Sequence, residues 1–189
     1  MTARWVVDTV APERDLSITW QPISLLEKNK PDPDSSYYAP VARTHRLLRV
    51  MESLRKAEGD KAVFPLYWEY GRRIHHDRDY EFDPADVLSA IGADTSHAAA
   101  FDDEAWDAEI KTRMGVGLGL TGEDVGTPII AMDDANGDRV ALFGPVITRV
   151  PPPDLALQMW DGFVAMAQVP GFWEVKRTRT ESPEFGERP

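Results

Sequence analysis

The stretch Gly122–Pro145, GEDVGTPIIAMDDANGDRVALFGP, decides the fold. Its two short apolar runs, Pro128–Met132 and Val140–Phe143, flank the pair Asn136-Gly137. An Asn-Gly pair between two apolar runs is a strong hairpin signal, because both residues tolerate a positive φ. Proline cannot donate to a strand ladder, so Pro128 belongs at the first residue of its strand or at a sheet edge, and a cis bond there would form a tight corner. The stretch predicts a β-hairpin with a proline corner.

Helical patterns lie on both sides of the hairpin. Apolar spacing predicts one helix after it, Leu155–Gln168, which Pro170-Gly171 ends. Before the hairpin, the same spacing predicts four helices, the second of them capped by Asp60. These four helices cover Tyr37–Glu58, Lys61–His76, Pro84–Ile91 and Thr95–Leu118. We therefore expect a helical block followed by a ββα unit.

The amino-terminal residues change pattern several times. The first apolar residues have helical spacing and predict a helix over Thr2–Val10, which Pro12 and Arg14-Asp15 end. The following segment, Leu16–Leu25, alternates between apolar and polar residues and predicts a strand. Proline and aspartate are frequent in Glu27–Ser36, which is expected to be a loop.

Composition bounds the class of protein. A chain of 189 residues with 42% hydrophobic and 28% charged residues suits one globular domain, with room for an insertion. The net charge of −11 disfavours nucleic acid as a partner, and no apolar run is long enough to span a membrane, so we expect a cytoplasmic protein. Cysteine is absent, which excludes disulfides, thiolate metal sites and cysteine nucleophiles among these residues.

Other motifs do not support a cofactor or a metal. The glycines of Gly115–Gly119 lack both the preceding strand and the third glycine of a nucleotide-binding turn, which favours a helix-to-loop transition. Adjacent histidines such as His75 and His76 point to different sides of a helix, and neither His45 nor His97 has a carboxylate at ligand spacing. We expect no metal site.

Several short motifs along the chain together resemble one family. They are Arg4-Trp5, Ser24-Leu25 with Asn29, Gly71–His75, Val125–Pro128, Phe143–Pro145, Trp160-Asp161 and Phe172–Pro183. In combination they resemble the DsbA-like thioredoxin-fold proteins of mycothiol-using bacteria, the mycothiol-dependent nitroreductase family. The resemblance covers nearly the whole chain and is best in about the last seventy residues.

The resemblance implies an α/β fold: a thioredoxin-like fold with a helical insertion, as in DsbA-like proteins, whose first strand is missing from these residues. Residues 1–28 and 120–175 would form the thioredoxin-like domain, 29–119 the insertion and 176–189 a carboxy-terminal tail. The implied activity is mycothiol-linked thiol redox chemistry, including the reduction of disulfides and nitroaromatic compounds. Mycothiol would be a co-substrate, no cofactor would stay bound, and the partner would be a small thiol or disulfide. The resemblance leaves homodimerisation open.

The family places a Cys-Pro-Trp-Cys-like motif just before the helix that here begins at Thr2, so no catalytic cysteine lies in this chain. In such motifs the helix amino terminus stabilises the reactive thiolate. Two interpretations compete. The motif and its strand lie upstream of Met1, within about 20–25 residues, or the chain is a redox-inactive relative that acts as a binding or scaffold protein. The first is the expectation adopted here, because an open sheet without its central strand would expose apolar faces and unpaired edges.

The resemblance also implies substrate-binding residues. Thr127 and Pro128 would form the wall that faces the cysteines, where the substrate chain aligns on the backbone. Asn29 and His75 match positions that line the substrate cleft, and Tyr37 is a further candidate together with Tyr38. Two alternatives remain open: His75 as a helix-end histidine and Asn29 as an ordinary loop residue.

Overall fold

The computed structural model describes residues 1–189, which form two compact units. Unit 1 comprises Met1–Ile18 and Gly117–Gly186, and unit 2 comprises Thr19–Val116 and Glu187–Pro189. The chain is mixed α/β and mostly helical, with one two-stranded sheet and helical insertions, which is compatible with the predicted thioredoxin-like fold class. None of the helices combines the length and the apolar content that crossing a membrane would require.

The sheet of unit 1 is the predicted hairpin. Strands β1 (Ile129–Asp133) and β2 (Arg139–Phe143) pair antiparallel, with Ile129 opposite Phe143. The hairpin prediction is confirmed.

Two features form the turn of this hairpin. Gly137 has a φ of +85°, a conformation that glycine adopts without steric cost. The Asp134 Oδ1 atom accepts hydrogen bonds from the backbone N–H groups of Asn136 and Asp138, at 2.8 and 2.9 Å. An aspartate that bonds the backbone two residues ahead is a common stabiliser of turns.

An aromatic pair holds the helices of unit 1 together. The Trp5 side chain is fully buried, and its Nε1–H donates to the Ala156 carbonyl at 3.1 Å. The rings of Trp5 and Trp160 meet edge to face, with centroids 5.9 Å apart. Trp160 and Ala156 belong to α8 (Pro153–Ala167), which confirms the helix predicted after the hairpin.

The amino-terminal helical run is longer than predicted. Helix α1 (Thr2–Trp5) continues through a π-helical turn, Val6–Val10, into α2 (Ala11–Arg14). The run therefore does not end at Pro12 but at the second predicted signal, Arg14-Asp15. Pro12 follows the π-helical turn, where the regular α-helical hydrogen-bond pattern is already interrupted. The run ends at Asp15, whose φ is +50°.

The strand predicted over Leu16–Leu25 is absent, and its alternation has another cause. Leu16 packs against the Trp5 cluster of unit 1, whereas Trp20 stacks on Phe64 and Tyr67 in unit 2. The alternating apolar side chains are therefore buried by two separate clusters, and no neighbouring strand pairs with their backbone.

Unit 2 contains the predicted helical block. Its α-helices are α3 (Leu25–Asn29), α4 (Tyr38–Glu58), α5 (Val63–Gly71), α6 (Pro84–Ala90) and α7 (Asp107–Thr121), the last continuing into unit 1. Short 3₁₀ or π segments cover Asp60–Ala62, Arg72–Asp77, Thr95–Asp102 and Glu104–Trp106.

Three predictions for unit 2 need correction. The predicted loop Glu27–Ser36 begins inside a helix, because the Ser24 side chain accepts a hydrogen bond from the Glu27 N–H and caps α3. The predicted helix Thr95–Leu118 is broken where Asp103 caps a new segment. Asp60 does not cap its helix, because its carboxylate pairs with Arg55 instead.

Helix α4 is the centre of the unit 2 core. Its buried apolar face contacts side chains of α5, of α6 and of the segment between them. This cluster comprises Leu47, Val50, Met51, Leu54, Val63, Leu66, Tyr70, Phe82, Val87 and Leu88.

The segment after α8 runs along unit 1 without forming a strand. The Glu184 N–H donates to the Thr148 carbonyl at 2.7 Å, and the Arg4 guanidinium donates to the Phe185 carbonyl at 2.7 Å. These two bonds hold the end of unit 1 against the segment before α8 and against α1.

We predict opposite effects for two glycine substitutions that both meet open space. Gly137→Ala should destabilise the protein by about 1 kcal/mol, because alanine must adopt a positive φ. Gly115→Ala, in the exposed interior of α7, should stabilise it by about 0.5–1 kcal/mol. Urea unfolding followed by circular dichroism measures both, and a destabilising Gly115→Ala would contradict the helical assignment.

Candidate functional site

The proline corner lies at the start of β1. The Thr127–Pro128 peptide bond is cis; Thr127 is exposed and Pro128 is half-buried. The Gly144 N–H donates to the Pro128 carbonyl at 2.8 Å. Thr127 precedes β1, and its backbone N–H and carbonyl make no backbone hydrogen bond within the chain. The sheet has no third strand, so the backbone at Thr127 is an open edge next to β1.

A second cis proline lies beside this corner. The Gly144–Pro145 peptide bond is also cis, and the Thr2 Oγ1–H donates to the Pro145 carbonyl at 2.7 Å. Because Gly144 pairs with Pro128, the amino-terminal end of α1 lies at the same end of unit 1 as the corner.

Asn29 is the last residue of α3 and is not a loop residue. Its Nδ2–H donates to the Tyr37 hydroxyl at 3.1 Å, and both side chains are exposed, Tyr37 by 44%. Lys30, with a φ of +42°, ends the helix. Tyr38 is half-buried in the first turn of α4.

His75 lies in the π-helical segment Arg72–Asp77 that continues α5, which is a helix-end position. The residue is exposed, but partial desolvation of its ring lowers the pKa of the imidazole below its ordinary value. The ring is therefore neutral at pH 7 and has one hydrogen-bond donor and one acceptor.

The four predicted binding residues belong to two units. Thr127 and Pro128 lie in unit 1, at the corner, whereas Asn29 and His75 lie in unit 2. Within unit 2, Asn29 is brought against Tyr37. The binding roles of all four residues stay predictions.

A cavity of about 560 Å³ lies in unit 2, between the end of α4 and the start of α7, and none of the four residues lines it. Glu52 is buried there between the Nε atoms of Arg55 and Arg113, both 3.0 Å from its Oε2. Burial raises the pKa of Glu52, although the two guanidinium groups oppose this effect. The charged and aromatic lining residues are Glu52, Arg55, Lys56, Asp103, Trp106, Glu109 and Arg113.

Sequence reasoning missed a buried polar chain centred on His45. The His45 Nδ1 lies 2.8 Å from the Ser24 Oγ, and its Nε2 lies 2.9 Å from the Asp107 Oδ1. Asp107 in turn accepts two hydrogen bonds from Arg49, at 2.6 and 2.8 Å. The sequence shows no carboxylate at ligand spacing from His45. Asp107 lies 62 residues away, and no local pattern indicates it.

The charge of Asp107 is stabilised by its partners. Burial alone would raise the pKa of this carboxyl, but hydrogen bonds from Arg49 and His45 outweigh it and hold the pKa below its ordinary value. A carboxyl whose pKa falls on folding stabilises the protein above the unfolded-state value of about 3.9. That stabilisation is lost as the pH falls through the folded-state pKa.

We predict that Asp107→Asn destabilises the protein by roughly 2–4 kcal/mol at pH 7, because buried Arg49 loses its counterion. The difference from wild type should shrink as the pH falls from about 4, the unfolded-state pKa, through the lowered folded-state pKa, below which wild-type Asp107 is also protonated. Urea unfolding between pH 3 and pH 7 measures this effect. Asp34→Asn, at an exposed loop position, is the control, and equal stability of both variants at pH 7 would contradict the prediction.

Comparison with known families agrees with the motifs quoted above. The family model described as "Rv2466c-like: Mycothiol-dependent nitroreductase Rv2466c" matches residues 1–177. The matched range contains both proline corners and the buried polar chain of unit 2. The chain therefore belongs to the Rv2466c-like family of mycothiol-dependent nitroreductases.

Proposed function

We propose that this chain is a DsbA-like, thioredoxin-fold member of its family that binds a small thiol or disulfide, with mycothiol as co-substrate. Its physiological chemistry would be thiol–disulfide exchange linked to mycothiol. The residues present here would bind and orient the substrate. The observation that carries this proposal is the open backbone edge at Thr127, in a chain that matches a mycothiol-dependent family.

The open edge suits a substrate that contains amide groups next to its sulfur. The carbonyl and N–H groups of Thr127 make no backbone hydrogen bond within the chain. An extended thiol with amides, such as mycothiol or its disulfide, would pair with them as an added strand does. The proline that follows has no N–H, so its carbonyl is its only backbone hydrogen-bonding group, and this carbonyl is already used by Gly144.

In unit 2, Asn29 and His75 would bind polar groups of a substrate. An amide and a neutral imidazole each offer donors and acceptors, which fit the hydroxyl groups of a sugar-containing thiol. Neither group carries charge at pH 7, so binding would not depend strongly on salt. Tyr37, which accepts from Asn29, would align the amide.

Exchange itself needs a thiolate, and the 189 residues contain no cysteine. In exchange, a thiolate attacks one sulfur of a disulfide, forms a new S–S bond and releases the other sulfur as a thiolate. The step that these residues can carry out is binding. The expectation that a cysteine motif lies upstream of Met1 stays a prediction, and translating the preceding in-frame DNA tests it.

The absence of cysteine also favours a second candidate, a redox-inactive binding or scaffold protein of the same fold. The two candidates differ in turnover. Both candidates would bind mycothiol disulfide. If the second is right, however, even a form of the protein with additional residues would not reduce a disulfide or a nitroaromatic compound with mycothiol. An assay of the 189-residue protein alone should give binding without turnover, and turnover without a cysteine would contradict the proposed chemistry.

We predict that Asn29→Ala and His75→Ala each weaken the binding of mycothiol disulfide about fivefold, the equivalent of one hydrogen bond. Isothermal titration calorimetry at pH 7 measures the affinity. Asn136→Ala in the hairpin turn and His97→Ala, whose wild-type ring bonds Ser53, are matched controls that should bind as wild type does. If the site variants bind as tightly as the controls, the proposed cleft is wrong.

We predict that mycothiol disulfide shifts the backbone amide resonance of Thr127 in a ¹⁵N-labelled sample, because the ligand pairs with that amide. The Gly137 amide, at the opposite end of the hairpin, should not move. Thr127→Ala keeps the backbone groups and should bind within about twofold of wild type, since neither of its lost atoms pairs with the ligand. If Thr127→Ala greatly weakened binding while the Thr127 amide resonance of the wild type did not shift, the ligand would instead be recognised by the Thr127 side chain.

A further inference from the structure

Helix α3 is tied to α4 at both of its ends. At its start, the Ser24 Oγ lies 2.8 Å from the His45 Nδ1, and at its end, Asn29 donates to the Tyr37 hydroxyl at 3.1 Å. Tyr37 precedes His45 by two turns of α4, a rise of about 12 Å. Helix α3 therefore runs antiparallel to the beginning of α4, and Asn29 lies beside the amino-terminal end of α4.

The hydrogen bonds at the start of α3 use every polar atom of the Ser24 and His45 side chains. The Ser24 Oγ accepts from the Glu27 N–H at 3.2 Å and also pairs with the His45 Nδ1. Because a carboxylate can only accept, the His45 Nε2–H donates to Asp107. The hydroxyl and both ring nitrogens are therefore used.

A catalytic role for this Ser-His-Asp chain does not fit its burial. Ser24 is 1% exposed and His45 is 2% exposed, so neither can touch a substrate. The Ser24 Oγ is also occupied as the helix cap. These three buried side chains can affect a substrate only through helix α3, which they hold in place.

The stability of α3 depends on its contacts with other elements. Helix α3 has five residues, far fewer than an isolated helix needs to be stable in water. Two further links, Asn29 to Tyr37 and Glu27 to Lys111, join exposed or partly exposed side chains and contribute little. The buried bond between Ser24 and His45 is the one whose loss leaves polar atoms unsatisfied.

We infer that Ser24, His45 and Asp107 are positioning residues that fix α3 and thereby place the Asn29 amide for substrate binding. This inference rests on the proposed function, which assigns Asn29 to the cleft. Arg49 supports the chain by holding the Asp107 carboxylate with two hydrogen bonds.

Two substitutions at His45 separate the bond to Ser24 from the bond to Asp107. Asn can place an amide where Nδ1 lies and keep the bond to Ser24, whereas Gln can reach Asp107 from the Nε2 position and loses Ser24. We expect His45→Asn to bind mycothiol disulfide within about twofold of wild type. His45→Gln should bind about fivefold more weakly, as Asn29→Ala does.

A double-mutant cycle tests whether His45 affects ligand binding through Asn29. If His45 acts through Asn29, the variant with both His45→Gln and Asn29→Ala should bind no more weakly than Asn29→Ala alone. Additive losses, or wild-type affinity of His45→Gln, would overturn the inference. Ser24→Ala, which removes the same bond from the other side, gives an independent reading if His45→Gln does not fold.

A ligand-free measurement keeps this inference distinct from the proposed function. The side-chain amide resonance of Asn29 should shift in His45→Gln and stay in place in His45→Asn. An unchanged resonance in His45→Gln would overturn the inference. A shifted resonance in a protein that binds no mycothiol disulfide would support the positioning of Asn29 and contradict the proposed function.

Discussion

The structure of unit 2 depends on pairing the charged side chains that α4 carries into the interior. Four buried polar residues of this helix, His45, Arg49, Glu52 and Arg55, lie on the same helix as its apolar core positions. A buried charge without a partner costs several kcal/mol. Each of the four has at least one partner outside α4, and these contacts restrict how the rest of the unit can pack.

The partners come from different parts of the chain, and each one fixes an element. Asp107 pairs with Arg49 and so fixes the start of α7. Arg55 donates to the Trp20 carbonyl at 2.9 Å and so holds the segment that precedes α3. His45 reaches Ser24 and fixes α3 itself. An apolar helix in the same place would pack as tightly, but it would not determine which residues of the neighbouring elements meet it.

Unit 1 is organised by a different constraint. Its core is aromatic and apolar, with Trp5 and Trp160 in contact, and its sheet has only two strands. A hairpin of this size is marginally stable by itself and depends on the helices beside it. Thr127, which precedes β1, makes no backbone hydrogen bond within the chain.

Local signals in the sequence predicted the elements that local physics determines. The Asn136-Gly137 turn, the long helix ended by Gly59 and the helix before Pro170 each follow from residues within a few positions of one another. The strand predicted over Leu16–Leu25 failed because alternation records burial but does not record which cluster buries each residue.

The candidate site was predictable only in part, for the same reason. The chemistry of Thr-Pro before a strand predicted the corner at Pro128, whereas Asn29 and His75 came from resemblance to a family. The chain from Ser24 through His45 to Asp107 joins residues 21 and 62 positions apart. Serine, histidine and aspartate are common residues, and nothing short of the folded helices brings these three together.

Binding and sulfur chemistry make separate physical demands. Binding a small thiol needs an open backbone edge and neutral polar groups, which a rigid scaffold supplies through its own internal hydrogen bonds. Exchange needs a thiolate whose charge is stabilised, and this requires a cysteine beside a helix amino terminus or a cation. The 189 residues lack the sulfur atom that the second demand requires. The hydrogen bonds that fix α3 involve no sulfur, so this part of unit 2 is held in place without the atom that exchange needs.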